Sequence, residues 1–297
     1  MKHHVGCSGF NYDDWEEAFY PKDINKKEWL EYYATKFDTV EINSTFYHMP
    51  KEKTLDNWYH RTPGNFRFTL KGSRFITHQK KLNDPEEPVK KFYKLADRLK
   101  EKLGCILWQL PGNQSKDITK LQNFCRTLGN GFRNVMEFRH NSWFDQEVYD
   151  VMNDNGVGFC MISAPGDLKE DAVKTGSFAY LRFHGKKEWY KYLYSENELR
   201  HWADKIRKLN AQQLYAYFNN DQDANAPRNA VDFKKILDRN SPVSGEGTNH
   251  QSDTKGNSGN SNNNGNSGNS NNSDNNGGSD DSNGSDNGKS TKITKRP

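Results

Sequence analysis

No run of about eighteen apolar residues occurs in the 297-residue chain, so the sequence offers no candidate membrane-spanning helix. The first ten residues, MKHHVGCSGF, lack the apolar stretch and small-residue cleavage site of a secretory leader. Cysteine is scarce. Cys7, Cys105, Cys125 and Cys160 are the four present; none forms a CxxC pair or another metal-binding spacing. Three of them sit in apolar, strand-like runs, where a thiol packs as a small hydrophobe. These absences predict a soluble, cytoplasmic protein with free thiols and no membrane partner. A strong charge of one sign is lacking too: the net charge is +4, too weak to argue for nucleic acid by itself.

Apolar residues are unevenly spread. Mean hydropathy is −1.10, but the average hides a change of composition near residue 240. From Ser241 onward the chain is almost wholly Asn, Ser, Gly and Asp, with no aromatic residue and almost no aliphatic one. Such a segment cannot bury enough apolar surface to offset the entropy of ordering it. Residues 1–240 therefore read as one folded domain and residues 241–297 as a disordered polar tail. The tail holds five Lys/Arg and six Asp/Glu, which leaves about +5 on the domain. Its closing basic cluster, KSTKITKRP, reads as a solvated terminus.

What is present within residues 1–240 is alternation. Strand-like runs (HHVGCSG, TVEINS, FRFTLKGS, CILWQLP, NVMEFRH, VGFCMIS, FAYLRFHG and QLYAYFNND) are separated by helix-like ones such as KKEWLEYYATKF, EEPVKKFYKLADRLKEKLG and ENELRHWADKIRKLN. Gly104 reads as the stop of the third of the chain's helical runs, and Pro227 as the start of the last. Only the stretch after Ser163, APGDLKEDAVKTG, shows no helical period. Eight β/α units in about 240 residues predict an α/β fold, a (β/α)8 TIM-barrel-like domain. An open doubly wound sheet is the alternative. It calls for a GxGxxG turn after the first strand, and GCSGFNYDDW is not one.

Strand two poses the functional question. In DTVEINSTFYHMP, residues 38–50, Val40 and Ile42 alternate with Glu41 and Asn43. A strand sends alternate side chains to opposite faces. In a closed barrel the outer face lies under helices and must be apolar, so the polar face lines the lumen. Parity then sends Glu41, Asn43, Lys71, Gln109, Glu137, Arg139, Arg182, His184, Tyr217 and Asn219 inward, nearly all at the C-terminal ends of their strands. That end is where barrels of this type carry active sites. Internal salt bridges, Glu41–Lys71 or Glu137–Arg139, are the structural alternative. Buried ion pairs stabilise less than apolar packing does, so ten convergent polar side chains argue for a site.

Eight segments carry a resemblance: VGCSGFNYDDW, FYP, EWLEYYATKFDTVEINSTFYHMP, TPGNFRFTLKGSRFITH, LGCILWQLP, EFRHNSWF, YLRFHG and YAYFNND…APRNA. Together they resemble the YecE-like family, domain-of-unknown-function family 72, across residues 4–230. The resemblance implies a TIM-barrel fold and brings with it no established activity or catalytic residue. Cys7 and Phe10 stand where relatives commonly carry Thr and Trp, so neither position bears weight here.

The residues suggest several chemistries. Glu41 and Glu137 could act as a glycosidase pair if about 5–10 Å apart, although Arg139 and Lys71 would hold both ionised, against the needs of a general acid. Lys71, Arg139 and Arg182 suit an anion. His184, and His78 in a loop past strand three, titrate near neutrality. Metal binding by Glu41, Glu137, His184 and Asp221 is opposed by the neighbouring cations. Nucleic acid could stack on Phe46, Tyr47, Trp143, Phe144, Trp189 and Tyr190.

The expectation is an enzyme, a hydrolase or isomerase, acting without metal or cofactor on a small anionic or polyhydroxylated substrate at the barrel mouth. Glu41, Glu137 and His184 are the expected catalytic groups. Asn43, Lys71, His78, Gln109, Arg139, Arg182, Tyr217, Asn219, Asn220 and Asp221 are the expected binding groups, with Asp221 paired to Arg182 or Arg228. A nucleic-acid-binding or metal-dependent phosphodiesterase-like barrel, or a non-catalytic ligand-binding module, are the alternatives.

Overall fold

The computed structural model describes residues 1–239; the expected tail, residues 241–297, lies outside the described residues. Eight parallel strands close into a barrel in chain order. They are β1 (Lys2–Ser8), β2 (Thr39–Ile42), β3 (Arg67–Lys71), β4 (Leu103–Gln109), β5 (Asn134–Glu137), β6 (Gly158–Ser163), β7 (Ala179–Phe183) and β8 (Gln213–Phe218). β8 returns to β1 in register, Gly6 opposite Tyr217 and Cys7 opposite Phe218. Closure leaves no sheet edge exposed.

The helices are α1 (Trp29–Lys36), α2 (Ser44–Tyr47), α3 (Glu52–His60), α4 (Glu86–Ala96), α5 (Ile118–Thr127), α6 (Gln146–Asp154), α7 (Glu196–Lys208) and α8 (Asn225–Arg239). Their amphipathic faces cover the barrel. Val40, Phe68, Trp108, Met136, Leu181 and Phe218 point outward and are fully buried beneath them. Trp108, for example, packs between Phe92 of α4 and Phe124 of α5. The segment after β6, residues 164–178, holds no helix, as its lack of periodicity predicts. Among the described residues no helix is long and apolar enough to cross a membrane, and all four cysteines are buried and free.

Two local expectations are corrected. Gly104 does not stop a helix: α4 ends at Ala96, a 3-10 turn follows over Asp97–Lys102, and Gly104 is the second residue of β4. The chain reverses at Lys100, φ 48°. Gly104 is small for a packing reason, since a Cβ there would press on the Tyr215 ring and the Phe68 carbonyl. Pro227 does not open the last helix, which starts at Asn225; it sits within the first turn, where no amide hydrogen is required.

Gly6 shows how β1 and β2 are joined. The Tyr33 hydroxyl of α1 accepts from the Cys7 N–H at 2.7 Å and donates to the Thr39 carbonyl at 3.0 Å. Any Cβ at residue 6 would collide with that carbonyl and hydroxyl.

Candidate active site at the barrel mouth

The lumen is built in layers. Lowest of those that bear on the site, Tyr217 places its hydroxyl 2.7 Å from Thr39 Oγ1 and 2.8 Å from Thr69 Oγ1. This layer is fully buried. Tyr217, expected to bind substrate, is thus part of the floor, because its ring length carries the hydroxyl across the lumen to two threonines.

Above it lies a compact charged layer. Arg182 Nη1 donates to Glu137 Oε2 at 2.5 Å, and Nη2 donates to Glu41 Oε1 at 2.6 Å and to Ser8 Oγ at 3.0 Å. Tyr180 donates to Glu41 Oε2 at 2.5 Å. The Ser8 hydroxyl donates to Glu41, and Asn43 Nδ2 donates to Ser8 Oγ at 2.8 Å. Arg139 Nε donates to Glu137. Glu41 and Glu137 have no exposed surface, and Arg182 has 1%. Two carboxylates face two guanidiniums, so the layer compensates its own charge. Burial would raise the Glu137 carboxyl, but Arg139 and Arg182 overcome that and hold it well below the usual range.

His184 caps this layer and is also fully buried. Arg139 Nη2 donates to its Nε2 at 2.9 Å, and the Asn219 side-chain amide lies 3.0 Å from Nδ1. Burial, reinforced by Arg139 and Arg182, pushes its pKa well below the ordinary value. The ring is neutral. With Nε2 accepting, the proton sits on Nδ1 and the Asn219 oxygen must face it.

The open part of the site is different. A cavity of about 590 Å³ at the mouth is lined by His78, Gln109, Arg139, His140, Asn141 and Trp189, among others. Gly185, φ 107°, turns the chain after β7, and Trp189 then lies with its ring centroid 4.5 Å from the Arg139 guanidinium. Asn141 donates to the Asp167 carbonyl at 2.8 Å and accepts from the Lys169 N–H at 2.9 Å, tying segment 164–178 to the rim. His78 sits in a π-helical turn, Phe75–Gln79. Burial, helped by the charges of Lys71, Arg74 and Arg139, pushes its pKa down to about 4.

Lys71 ends β3 beside these groups and is partly exposed. Thr45 Oγ1 fixes its carbonyl at 2.7 Å, and its Nζ lies 4.3 Å from the Phe46 ring centroid. Among the described residues its ammonium has no hydrogen bond and no carboxylate within ion-pair distance. Burial and the Arg182 charge lower its pKa to about 7, with Glu137 and Glu41 opposing and Arg139 adding to the shift. The alternative pairing of Glu41 with Lys71 is therefore replaced by Glu41 with Arg182; the other alternative, Glu137 with Arg139, is present.

Of the expected site residues, Glu41, Asn43, Glu137, Arg139, Arg182, His184 and Asn219 form one network, His78 and Gln109 line the mouth cavity, and Lys71 ends β3 near enough for its charge to act on His78. Asn220 points the other way. It donates to the Tyr192 carbonyl at 2.6 Å and to Asn229 Oδ1 at 2.9 Å, holding the β7–α7 loop against α8, because parity after β8 turns it outward. The Asp221 carbonyl accepts from Trp15 Nε1 at 2.8 Å, and its charge acts on Tyr12 and Cys7. The Arg182 hydrogen bonds go to the glutamates and Ser8. Trp143 and Phe144, suggested for base stacking, are buried in the core; the Trp143 ring stacks on Phe138 at 4.7 Å. Among the described residues no three His, Cys, Asp or Glu side chains gather as a metal site would require. Sequence reasoning passed over Ser8, which the parity rule extended to strand one would have found. It also left Trp189 unconnected to Arg139, since only the turn at Gly185 joins them.

The family model described as "Protein of unknown function DUF72" matches residues 4–252. Among curated proteins, the chain is 25% identical over 274 residues to the UPF0759 protein YunF of Bacillus subtilis strain 168, covering 79% of this chain and 94% of that one. It is 32% identical over 116 residues to the UPF0759 protein YecE of Escherichia coli K12, covering 39% and 43%. Among solved structures, a DUF72 family protein from Thermotoga maritima MSB8 superposes with a TM-score of 0.74 at 30% identity, over 80% of this chain and all of that one. The fold and the eight sequence segments agree with these likenesses: the chain belongs to the DUF72 family.

Proposed function

We propose that the protein is an enzyme that binds a small anionic, polyhydroxylated molecule in the mouth cavity and works by proton transfer rather than by paired carboxylates. The observation that carries this reading is the charge imbalance between the two parts of the site. The layer of Glu41, Glu137, Arg139 and Arg182 is balanced, and Lys71 beside it is a cation without a carboxylate partner among the described residues. A partly desolvated lysine without a counterion favours either an anionic ligand or its own neutral form. The cavity offers Gln109, His140 and Asn141 for hydroxyl groups and an Arg139 face already stacked on Trp189.

Paired-carboxylate glycoside hydrolysis fits poorly. Glu41 and Glu137 grip the two ends of one guanidinium and present no surface to a substrate. In this reading they are positioning residues that fix Arg182 and Arg139. His184, neutral and held at both nitrogens, orients Arg139. Lys71 and His78 are the groups free to exchange protons with a substrate. Nucleic acid is the weaker alternative, since three of the six aromatics it would use, Phe46, Trp143 and Phe144, are buried.

A melting-temperature screen of the full chain tests this, with orthophosphate, sugar phosphates and hydroxycarboxylates at millimolar concentration. A ligand that binds only the native state raises the melting temperature in proportion to the logarithm of its saturation. We expect anionic polyols to stabilise the wild-type protein, and Lys71→Met to lose that response while remaining folded. A panel without effect on the wild type would sink the reading, as would an undiminished response in Lys71→Met.

A further inference from the structure

We propose that Lys71 is a covalent site, whose ε-amine forms an imine with the carbonyl carbon of an anionic aldehyde, ketone or 2-oxo acid held in the mouth. The inference rests on the ligand reading above and names its reactive group. An amine that attacks a carbonyl must be near the ligand, unprotonated for part of the time and not consumed by a salt bridge.

Lys71 meets these conditions by its placement. It ends β3 on the lumen face, at the end of the barrel where the strand-to-helix loops gather. The motif after β2 holds it there: Thr45 fixes its backbone and Phe46 supplies the ring under Nζ. An aromatic face stabilises an ammonium only modestly and accepts no proton from it. Each carboxylate within electrostatic reach, Glu41 and Glu137, is already bonded to a guanidinium. The charged and titratable groups that act on Lys71 are Arg182, Arg139, Glu137 and Glu41, and it in turn acts on His78. Burial opposes its protonation most, and the two arginines add to that against the pull of Glu137 and Glu41, lowering its pKa to about 7. A substantial fraction of the amine is therefore neutral near pH 7.

The step balances without an oxidant or cofactor. The nitrogen lone pair forms the N–C bond, the carbonyl π pair moves to oxygen, and one amine hydrogen passes to that oxygen to give a carbinolamine. The C–O bond then breaks as the nitrogen lone pair forms the C=N bond, and the remaining amine hydrogen leaves with the hydroxyl as water. Protonation of that nitrogen draws electrons from the neighbouring carbon and makes its C–H acidic. The neutral imidazole of His78, which lines the cavity and feels the Lys71 charge, is the candidate to accept such a proton. The Arg139 guanidinium is placed to hold the substrate's anionic group, which keeps the carbonyl end toward Lys71.

The test is reductive trapping on the full chain. Pyruvate and dihydroxyacetone phosphate are each incubated with the protein and sodium cyanoborohydride, and the modified lysine is located by peptide mass spectrometry. Melting temperatures are measured with the same two compounds before reduction. We expect one predominant adduct, at Lys71, formed ahead of the exposed Lys187 and Lys191, with a rate that rises as pH increases through about 7. Lys71→Arg should retain a cation and give no such adduct. Labelling spread evenly over surface lysines overturns the proposal. So does stabilisation by both compounds without an adduct, which would leave the ligand reading intact. A result with neither stabilisation nor adduct overturns the covalent proposal, and overturns the ligand reading as well when the wider panel above is also without effect.

Discussion

The charged layer and the mouth above it are made of the same residue types, yet they behave as opposites. In the layer, Glu41, Arg182, Glu137, Ser8 and Tyr180 are joined to one another through short, buried hydrogen bonds, with Nε alone of the Arg182 guanidinium nitrogens left without one. Beside the mouth, Lys71 and His78 keep part of their surface open and their pKa values are displaced by desolvation and by like charges. Burial of charge is costly in both places. The layer meets that cost with internal partners, whereas Lys71 does not. Polar residues facing inward are thus of two kinds, those bonded into a scaffold and those without an internal charge partner among the described residues. Charge bookkeeping separates them where parity cannot.

The sharpest way to break this contrast is to remove the central cation. Arg182→Met would leave Glu41 and Glu137 facing each other without solvent. Loss of one partner from a buried ion network costs roughly 3–5 kcal/mol, so urea unfolding should show a large fall in stability or no folded protein. A loss below about 1 kcal/mol would show that the layer is not sealed.

Acid should act on the same layer. The Glu137 carboxyl is depressed below the 4.5 it would have unfolded. A depressed carboxyl stabilises the fold above its unfolded pKa, and that stabilisation is lost as pH falls through its folded pKa. Unfolding free energy should therefore drop steeply below about pH 4.5. Glu137→Gln should be less stable at neutral pH and show a flatter acid limb, as followed by chemical denaturation across pH.

Lys71 should behave in the opposite sense to Arg182. Its pKa falls from 10.5 to about 7 on folding. The folded state then carries a penalty that is complete below pH 7, diminishes as pH rises, and is gone above 10.5. Lys71→Met should accordingly stabilise the domain at pH 6, by on the order of 1–2 kcal/mol once solvent screening is allowed for. The gain should vanish near pH 10.5. A destabilised Lys71→Met at pH 6 would mean that the lysine has a structural partner after all. The smallest effect belongs outside both regions. Tyr47, 47% exposed, should tolerate change to Ser within about 0.5 kcal/mol, measured by thermal melting.

The barrel was legible because its two periods are written in the residues. Val40 and Ile42 against Glu41 and Asn43 fixed the faces of β2, and the same rule oriented β3, β5, β7 and β8 correctly. Local chemistry was less legible. Gly104 looked like a helix stop because glycine ends helices often; its actual constraint is the Tyr215 ring of β8, on the opposite side of the barrel, which no local window contains. The floor role of Tyr217 and the outward turn of Asn220 depended likewise on partners more than a hundred residues away or on a loop whose course is not periodic.

By itself, the sequence determined the closed α/β barrel, the inward face of polar residues and the end of the barrel where they converge. It did so because periodicity and burial are properties of each element alone. The tertiary structure decided which carboxylate meets which cation. Pairing depends on reach across the lumen, and Arg182, longer and forked, bridges Glu41 and Glu137 at once. Lys71 is left over for that reason, and the proposed chemistry rests on this remainder.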